Sequence, residues 1–217
     1  MPEGEARHVL KVLRGRDGDV FEIADAERRL FLAELREGGQ ARVLEALQTQ
    51  EDGEIGLTLY QAIPKGGRMD FLVAKAAEIG ATRIVPLVTE RGIVRPREGK
   101  VERWRRVAKA AARQSLHVGL PEVAEPVDLP GAIWEAGENG VLLHNSPELE
   151  ALECVISSPA ALFIGPEGGW SEEELRTAGE AGLAPAQLGP YRLRSETAGM
   201  VAVARARAAL ERSVRRV

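Results

Sequence analysis

A glycine-rich segment that follows an apolar run has the composition of a ligand-binding loop. It reads Leu162-Phe163-Ile164-Gly165-Pro166-Glu167-Gly168-Gly169-Trp170-Ser171. Glycine tolerates positive φ angles and lets main-chain N–H and C=O groups approach a ligand without an intervening Cβ. The segment lacks the Lys-Ser/Thr pair of a P-loop and does not fit G-x-G-x-x-G, and the carboxylate of Glu167 would repel a phosphate. It therefore predicts a ligand-binding loop that is not a phosphate site, with a tight structural turn as the alternative interpretation.

A second segment crowded with polar groups leads into the last apolar helix of the sequence. It reads Leu188-Gly189-Pro190-Tyr191-Arg192-Leu193-Arg194-Ser195-Glu196-Thr197-Ala198. Arg194 and Glu196 are candidates for contact with a substrate or a cofactor. Glu196 could instead be a carboxylate that the dipole favours at a helix start, and Arg192 could equally be a surface charge. In open α/β sheets ligands bind at the loops that leave the strands, so the two segments together predict one cleft.

Alternating strands and helices surround these loops, which is typical of a parallel α/β sheet. A capping box of Ser171 and Glu174 predicts the start of one helix. Gly80 and Gly182 predict helix ends, because glycine is common just after the last helical residue. In chain order, the predicted elements are the helix Met69–Ile79, the strand Arg83–Val88, a helix with Val101, Trp104, Ala108, Ala111 and Ser115 on one face, the strands Gly140–Asn145 and Ala160–Gly165, a helix over 172–181, and an alanine-rich helix from about Thr197 to Arg212.

Short strands separated by turns are predicted in the first part of the chain. These strands are Asp19–Ala24, Leu30–Leu35, Arg42–Leu47 and Ile55–Ala62. Closely spaced short strands suggest a small β-barrel. The run Pro64-Lys65-Gly66-Gly67 then breaks the pattern. Residues 1–63 are therefore predicted to form one domain, and residues 64–217 a second domain of the α/β class.

Charge is segregated along the chain, although the net charge is only −4. Residues 1–62 carry 8 Lys or Arg against 13 Asp or Glu, residues 63–117 carry 13 against 5, and residues 118–217 carry 8 against 15, which gives net charges of −5, +8 and −7. The central basic block would attract a polyanion such as RNA, and a solvated face is the alternative. The RNA-binding candidates in this block are Lys65, Arg68, Arg91, Arg103, Arg106 and Arg113.

Membrane, disulfide and metal-dependent classes are disfavoured by the composition. No run approaches the roughly 18 consecutive apolar residues that a membrane helix requires, and Met1–Lys11 lacks the apolar core of a signal peptide. We therefore expect a cytoplasmic protein with no membrane partner. The single Cys154 excludes an internal disulfide, and the histidines His8, His117 and His144 do not have the spacing of metal ligands.

The paired segments Ile164–Gly169 and Leu193–Ala198 resemble the two cofactor loops of the RsmE family of bacterial small-subunit ribosomal RNA uridine-N3 methyltransferases, in the SPOUT superfamily. The resemblance extends in order over nearly the whole chain. Tyr191 and Arg192 depart from it, because the family usually has an arginine followed by an aliphatic residue there. The other agreeing segments are His8–Arg14 with Gly18-Asp19, Lys75–Ala81, Pro86 with Thr89–Arg91, and Gln114-Ser115 before Pro121.

The resemblance implies a PUA-like, RNA-binding β-barrel over residues 1–63 and a SPOUT methyltransferase domain with a C-terminal trefoil knot over residues 64–217. It also implies a homodimer that acts on ribosomal RNA or the small ribosomal subunit and that holds S-adenosylmethionine bent in the knot, without a metal. Arg14 joins the RNA-binding candidates. The implied cofactor-binding residues are Leu143, Ile164, Gly165, Pro166, Glu167, Gly168, Gly169, Leu188, Gly189, Leu193, Arg194, Thr197 and Ala198.

The reaction implied by the resemblance is methylation of N3 of a specific uridine in 16S ribosomal RNA. Because N3 of uracil is weakly acidic, a cation that favours its deprotonated form should help. Arg194 is the first catalytic candidate, and Glu196 is a candidate base or orienting group. Arg194 could alternatively only pin the loop to a carboxylate such as Glu196. A non-catalytic RNA-binding or ribosome-assembly protein that retains the SPOUT fold, and a small-molecule α/β enzyme, are the alternative functions.

Overall fold

The computed structural model describes residues 6, 9–11, 14–24, 29–49, 55–92, 94, 99–115 and 120–214. Contacts between Cα atoms divide the chain into two compact units, Met1–Glu54 and Ile55–Val217.

The strands described in the first unit form a three-stranded antiparallel sheet. Its strands are β1 (Val20–Ala24), β2 (Arg29–Arg36) and β3 (Gln40–Thr49), and β2 lies between the other two. Val20 pairs with Glu34, and Ala33 and Leu35 of β2 are buried. The predicted strands of this region are therefore confirmed. The closed, PUA-like barrel stays a prediction, because the described residues give only the open sheet.

The second unit is built on a seven-stranded sheet in which every pairing is parallel. Its strands are β4 (Leu57–Ala62), β5 (Arg83–Val88), β6 (Glu122–Val123), β7 (Val127–Asp128), β8 (Gly140–Leu143), β9 (Ala160–Ile164) and β10 (Ala184–Ala186). The order is β10-β8-β9-β4-β5-β6, and β7 also pairs with β5. The predicted α/β class with a parallel sheet is confirmed.

Six α-helices are described in this unit. They are α1 (Arg68–Ile79), α2 (Lys100–Gln114), α3 (Leu129–Ala136), α4 (Leu152–Val155), α5 (Glu172–Glu180) and α6 (Ser195–Val214). The sequence cues act as expected: the Gly80 N–H caps α1 from a left-handed conformation, and the capping box of Ser171 and Glu174 opens α5. Among the described residues, no helix is long and apolar enough to cross a membrane.

The position of β4 differs from the one that the predicted domain boundary implies. The sequence pattern assigns Ile55–Ala62 to the N-terminal barrel, but in the structure β4 lies between β5 and β9 in the parallel sheet. Leu57, Leu59, Tyr60 and Ala62 are all buried, because side chains on both faces of β4 are covered. A nearly continuous apolar run suits such a strand better than an alternating one. The boundary between the units consequently falls after Glu54, not near residue 64.

Two apolar clusters cover the two faces of this sheet. One includes Leu59 and Leu162 with residues of α1, α2 and α6, and the other includes Tyr60 and Phe163 with residues of α3 and α5. The Tyr60 and Phe163 rings stack with centroids 4.6 Å apart. The Tyr60 hydroxyl donates to Glu135 over 3.0 Å. Burial, together with the adjacent Glu135 carboxylate, raises the pKa of Tyr60 to about 12, so the phenol stays protonated as a donor.

The helix α6 approaches β4 closely at Gly199. A Cβ at this position would lie 2.7 Å from the Leu72 Cδ1 atom and inside contact distance of the Gln61 Oε1 atom. The Gln61 side chain is fully buried, so it has little room to move away. Glycine is therefore required here for packing, not for a positive φ angle.

We predict that Gly199→Ala lowers the free energy of unfolding by about 1–3 kcal/mol, because the new methyl group overpacks the contact of α6 with β4. Gly179→Ala, within α5, is the matched control, since no described atom outside the local backbone of α5 lies within 4 Å of its Cβ position. This control should be neutral or slightly stabilising because alanine favours helix. Urea denaturation of both variants measures the difference, and equal stability of the two would contradict the packing argument.

Candidate functional site

Three strand ends converge at one edge of the parallel sheet. Because β8 lies between β10 and β9, the loops that follow these strands are neighbours. They enclose a pocket of about 560 Å³. Its lining residues are Leu143, His144, Asn145, Ile164, Gly165, Pro166, Glu167, Gly169, Trp170, Leu188, Gly189, Tyr191, Arg192, Leu193, Arg194, Ser195 and Ala198. The two segments that sequence analysis singled out therefore share one cleft.

Trp170 holds the glycine-rich loop after β9 in place. The indole is buried, and its Nε1–H donates to the Leu143 carbonyl over 3.0 Å, which ties the loop to the end of β8. A Cβ at Gly165 would lie 3.0 Å from this ring. The Gly169 N–H closes a turn on the Pro166 carbonyl with a φ of 70°, a conformation that L side chains rarely adopt. These contacts hold the loop in one conformation, with Gly165, Pro166 and Gly169 among the residues that line the pocket.

Arg91 supports the far side of the same loop. Its guanidinium donates to the carbonyls of Gly168 and Trp170 over 3.3 and 3.0 Å. A Cβ at Gly168 would lie 3.3 Å from the Arg91 Cβ atom, so Gly168 faces Arg91 and does not line the pocket. The sequence pattern assigns Gly168 to the cofactor and Arg91 to RNA. In the structure the two contact each other, which gives Arg91 a loop-supporting role.

The second loop is joined to the first by a chain of buried hydrogen bonds. Ser195 is the first residue of α6, and its Oγ–H donates to the Gly165 carbonyl over 2.6 Å. The Gln61 side-chain amide at the end of β4 donates to the Ser195 Oγ atom and to the Ala62 carbonyl, each over 2.9 Å. Gln61 is fully buried and Ser195 is 5% exposed. These bonds connect β4, the glycine-rich loop and the start of α6.

Arg68 also bridges the two loops, through ion pairs. Its Nε atom lies 3.5 Å from Glu196 Oε1, and its Nη1 atom lies 3.6 Å from Glu167 Oε1. The main-chain N–H of Lys65 donates to the same Glu167 oxygen over 3.1 Å. The sequence pattern assigns Arg68 to RNA. In the structure Arg68 instead links Glu167 of the glycine-rich loop to Glu196 at the start of α6.

Glu196 does not line the pocket, although the sequence analysis names it as a catalytic candidate. The residue is 7% exposed in the first turn of α6, and it is absent from the pocket lining. One carboxylate oxygen pairs with Arg68, and the other, Oε2, has no hydrogen-bond partner among the described residues. A negative charge in the first turn also interacts favourably with the helix dipole. The geometry therefore favours a positioning role over direct chemistry.

Arg194 has the opposite environment. Its side chain is exposed and lines the pocket, and it makes no hydrogen bond or ion pair with any residue that the structure describes. The alternative that Arg194 only pins the loop to Glu196 does not match the structure, because Glu196 is paired with Arg68. The Arg194 guanidinium is available to a ligand or substrate.

Eleven of the thirteen predicted cofactor-binding residues line the pocket, and Gly168 and Thr197 do not. His144 and Asn145 were missed because the predicted strand Gly140–Asn145 includes them, whereas in the structure β8 ends at Leu143 and they begin the loop that follows. Trp170 and Ser195 belong to the quoted motifs but were not assigned to the site. Gln61 was also missed, because nothing in its neighbouring sequence indicates its partner Ser195, which lies 134 residues away.

The basic block is partly neutralised within the protein. Arg103 pairs with Asp70 at 2.5 Å, and Arg105 pairs with Glu102 and Glu125. Arg113 also has an interaction partner. The side chains of Lys65, Arg106 and Lys109 are exposed and make no ion pair with a described residue, and Arg14 of the first unit is also exposed. Within the described ranges, no group of three or more His, Cys, Asp or Glu side chains could hold a metal ion.

Comparisons with known proteins find similar methyltransferases. A family model described as an RNA methyltransferase domain matches residues 51–207. The ribosomal RNA small subunit methyltransferase E of Synechocystis is 35% identical over 95% of this chain and 72% of that protein. The protein of the same name from Aquifex aeolicus is 31% identical over 90% of this chain and 88% of that protein. A crystal structure of a ribosomal RNA small subunit methyltransferase E from Neisseria gonorrhoeae bound to S-adenosyl methionine is 31% identical, with a TM-score of 0.80 over 97% of this chain and 91% of that one.

The ion pairs of Arg68 generate a stability prediction. Arg68→Gln should lower the free energy of unfolding by about 1–3 kcal/mol, because it leaves the buried Glu196 carboxylate without a cation. Adding Glu196→Gln should recover much of that free energy, since it removes the unpaired charge. Lys75→Gln is the control on the same helix, because it breaks only the partly exposed pair with Glu78 and should cost less than about 1 kcal/mol. If urea denaturation shows equal destabilisation by Arg68→Gln and Lys75→Gln, the ion pairs of Arg68 with Glu167 and Glu196 do not stabilise the fold as we predict.

Proposed function

The chain belongs to the ribosomal RNA small subunit methyltransferase E family, and from this premise we propose that it transfers a methyl group from S-adenosylmethionine to N3 of a specific uridine in small-subunit ribosomal RNA. One observation carries the proposal. The two loops that resemble the cofactor loops of this family line a single pocket at the carboxyl ends of parallel strands, where α/β proteins bind their ligands.

The lining of the pocket fits S-adenosylmethionine. A volume of about 560 Å³ lies within the usual range for small-ligand sites. The apolar side chains of Leu143, Ile164 and Leu188 suit the faces of a purine ring. The glycine-rich main chain can offer hydrogen bonds to the polar edges, and the Glu167 carboxylate suits a positively charged group. The residues that would hold the cofactor are therefore the following lining residues: Leu143 at the end of β8, Ile164, Gly165, Pro166, Glu167 and Gly169 of the glycine-rich loop, and Leu188, Gly189, Leu193 and Ala198 of the second loop and the start of α6.

Arg194 is the residue that we assign to catalysis. When bound, S-adenosylmethionine would supply an electrophilic methyl group for N3 of the uracil, and the proton displaced from N3 would pass to water. The unpaired Arg194 guanidinium can stabilise negative charge on the uracil oxygens as that proton leaves. Glu196 supports the reaction indirectly, since it holds Arg68 and the start of α6 in place.

The RNA is bound, in this proposal, by exposed cations that make no ion pair with a residue that the structure describes. Lys65, Arg106 and Lys109 meet this criterion in the second unit, and Arg14 meets it in the first. We further propose that the first unit is a PUA-like RNA-binding barrel and that the protein acts as a homodimer. The trefoil knot in the second unit stays a prediction from the family resemblance.

The reaction can be tested by mapping methyl groups on ribosomal RNA. Small-subunit RNA from cells with and without the protein is digested and analysed by mass spectrometry. We expect one N3-methyluridine to be absent without the protein and restored when purified protein and S-adenosylmethionine are added. An unchanged methylation pattern would exclude the enzyme and favour a non-catalytic RNA-binding protein.

We predict that Arg194→Lys lowers the rate of methyl transfer by a factor on the order of 10², because lysine keeps the charge but loses the planar guanidinium. Binding of S-adenosylmethionine, measured by calorimetry, should remain detectable. Arg176→Lys is the matched control, since Arg176 forms only surface ion pairs within α5. Single-turnover kinetics at saturating cofactor and RNA give the rate, and a wild-type rate for Arg194→Lys would remove Arg194 from catalysis.

A second prediction concerns the exposed cations of α2. Reversing Arg106 and Lys109 to glutamate should weaken RNA binding and flatten its salt dependence, with the slope of log affinity falling by roughly 0.7–0.9 for each RNA phosphate that the protein no longer neutralises. The affinity for S-adenosylmethionine should be unchanged, because neither residue lines the pocket. Titrations over a range of salt concentrations measure the slope. If cofactor affinity falls together with RNA affinity, α2 is a structural helix and not an RNA surface.

A further inference from the structure

Tyr191 is an exposed aromatic residue at a ligand pocket. It lines the pocket, yet it is 81% exposed. The other tyrosine, Tyr60, is 1% exposed, stacks on Phe163 and donates to Glu135. Among the described residues, Tyr191 has no hydrogen-bond partner and no ring partner. Its ring therefore contributes little to the stability of the fold, and its position requires another explanation.

The loop that carries Tyr191 is anchored at both ends. On one side, the Gln187 side chain donates to the Leu149 carbonyl over 2.6 Å, and its main-chain N–H donates to the Glu150 carbonyl over 2.9 Å. On the other side, Ser195 is fixed to Gly165 and Gln61. Because both ends are held, the ring is presented from a constrained loop, which reduces the entropy lost when a partner binds.

Two exposed arginines lie in the same loop as this ring. Arg192 and Arg194 are exposed, line the same pocket, and make no ion pair with a described residue. Glu167 is the only carboxylate among the lining residues, and it is already near Arg68. An exposed aromatic ring that shares a pocket with two arginines lacking an ion pair among the described residues matches single-stranded nucleic acid, because bases stack on aromatic rings and cations contact the phosphates.

We propose that Tyr191 is a stacking platform for an unpaired nucleobase of the RNA, at the mouth of the pocket, with Arg192 contacting the adjacent phosphate. This inference rests on the proposed function, since it assumes an RNA substrate. It assigns the RNA-binding surface to the second loop as well as to the basic block. A nucleobase must be unpaired to stack on the ring, so the site selects single-stranded RNA over a duplex.

Three variants of Tyr191 separate ring stacking from other roles. Tyr191→Leu keeps apolar bulk but removes the aromatic face, Tyr191→Phe keeps the face, and Tyr191→Trp enlarges it. The probe is a fluorescein-labelled single-stranded oligouridylate, with a duplex of oligouridylate and oligoadenylate as the comparison, and affinity is measured by anisotropy at fixed salt. Tyr191→Leu should weaken single-strand binding roughly tenfold, Tyr191→Phe should stay within about twofold of wild type, and Tyr191→Trp should bind at least as well. Duplex binding should not change.

Other roles for the Tyr191 ring predict different outcomes in these experiments. Calorimetry in which Tyr191→Leu loses affinity for S-adenosylmethionine would assign the ring to the cofactor and overturn the proposal. A change in oligomeric state by size-exclusion chromatography would assign it to a second copy of the chain, with the same consequence. Unchanged single-strand affinity in Tyr191→Leu would also overturn it. Because RNA affinity is measured without cofactor, failure of wild-type protein to methylate RNA would refute the proposed reaction and leave the stacking result intact.

Discussion

Gln61 is fully buried at the carboxyl end of the central strand β4, where its side-chain N–H group depends on hydrogen-bond partners inside the protein. It donates to Ser195, which in turn donates to the Gly165 carbonyl. The candidate site depends on this short chain of bonds, because the glycine-rich loop, the start of α6 and β4 meet nowhere else through side-chain hydrogen bonds among the described residues. Gly199 leaves room for the Gln61 side chain. The packing of α6 against β4 and the position of Ser195 beside the pocket therefore both depend on Gln61.

Some of the charged residues around this chain of bonds hold the loops in place, and others are available to a ligand. Arg68 lies between Glu167 and Glu196, and Arg91 binds the carbonyls of the glycine-rich loop. Both cations are used to hold the loops together. Arg192 and Arg194 keep no partner among the described residues, and they face the pocket. A cation without an internal partner at a rigid pocket is able to respond to a substrate, which is why Arg194 carries the catalytic assignment.

Local signals made much of this arrangement predictable. The glycine density of the first loop, the capping box of α5 and the apolar spacing of α2 each depend on neighbouring residues, and each is found in the structure. Gln61 could not be assigned, because its partner Ser195 lies 134 residues away. The strands β6 and β7 are two residues long, too short to show a period. The helix α3 could have been found, since Asp128 caps it and a proline follows at its start. The roles of Arg68 and Arg91 depend on ion pairs and carbonyl contacts that net charge does not reveal.

Hydrogen exchange with and without S-adenosylmethionine tests most directly whether the loops after β8 and β9 and the loop before α6 form one cofactor pocket. Binding should order these segments and slow the exchange of their amides. We expect protection in peptides that cover residues 143–145, 164–170 and 188–198, with no change in α2. Protection of α2 without protection of the loops, or no protection at saturating cofactor, would contradict the account.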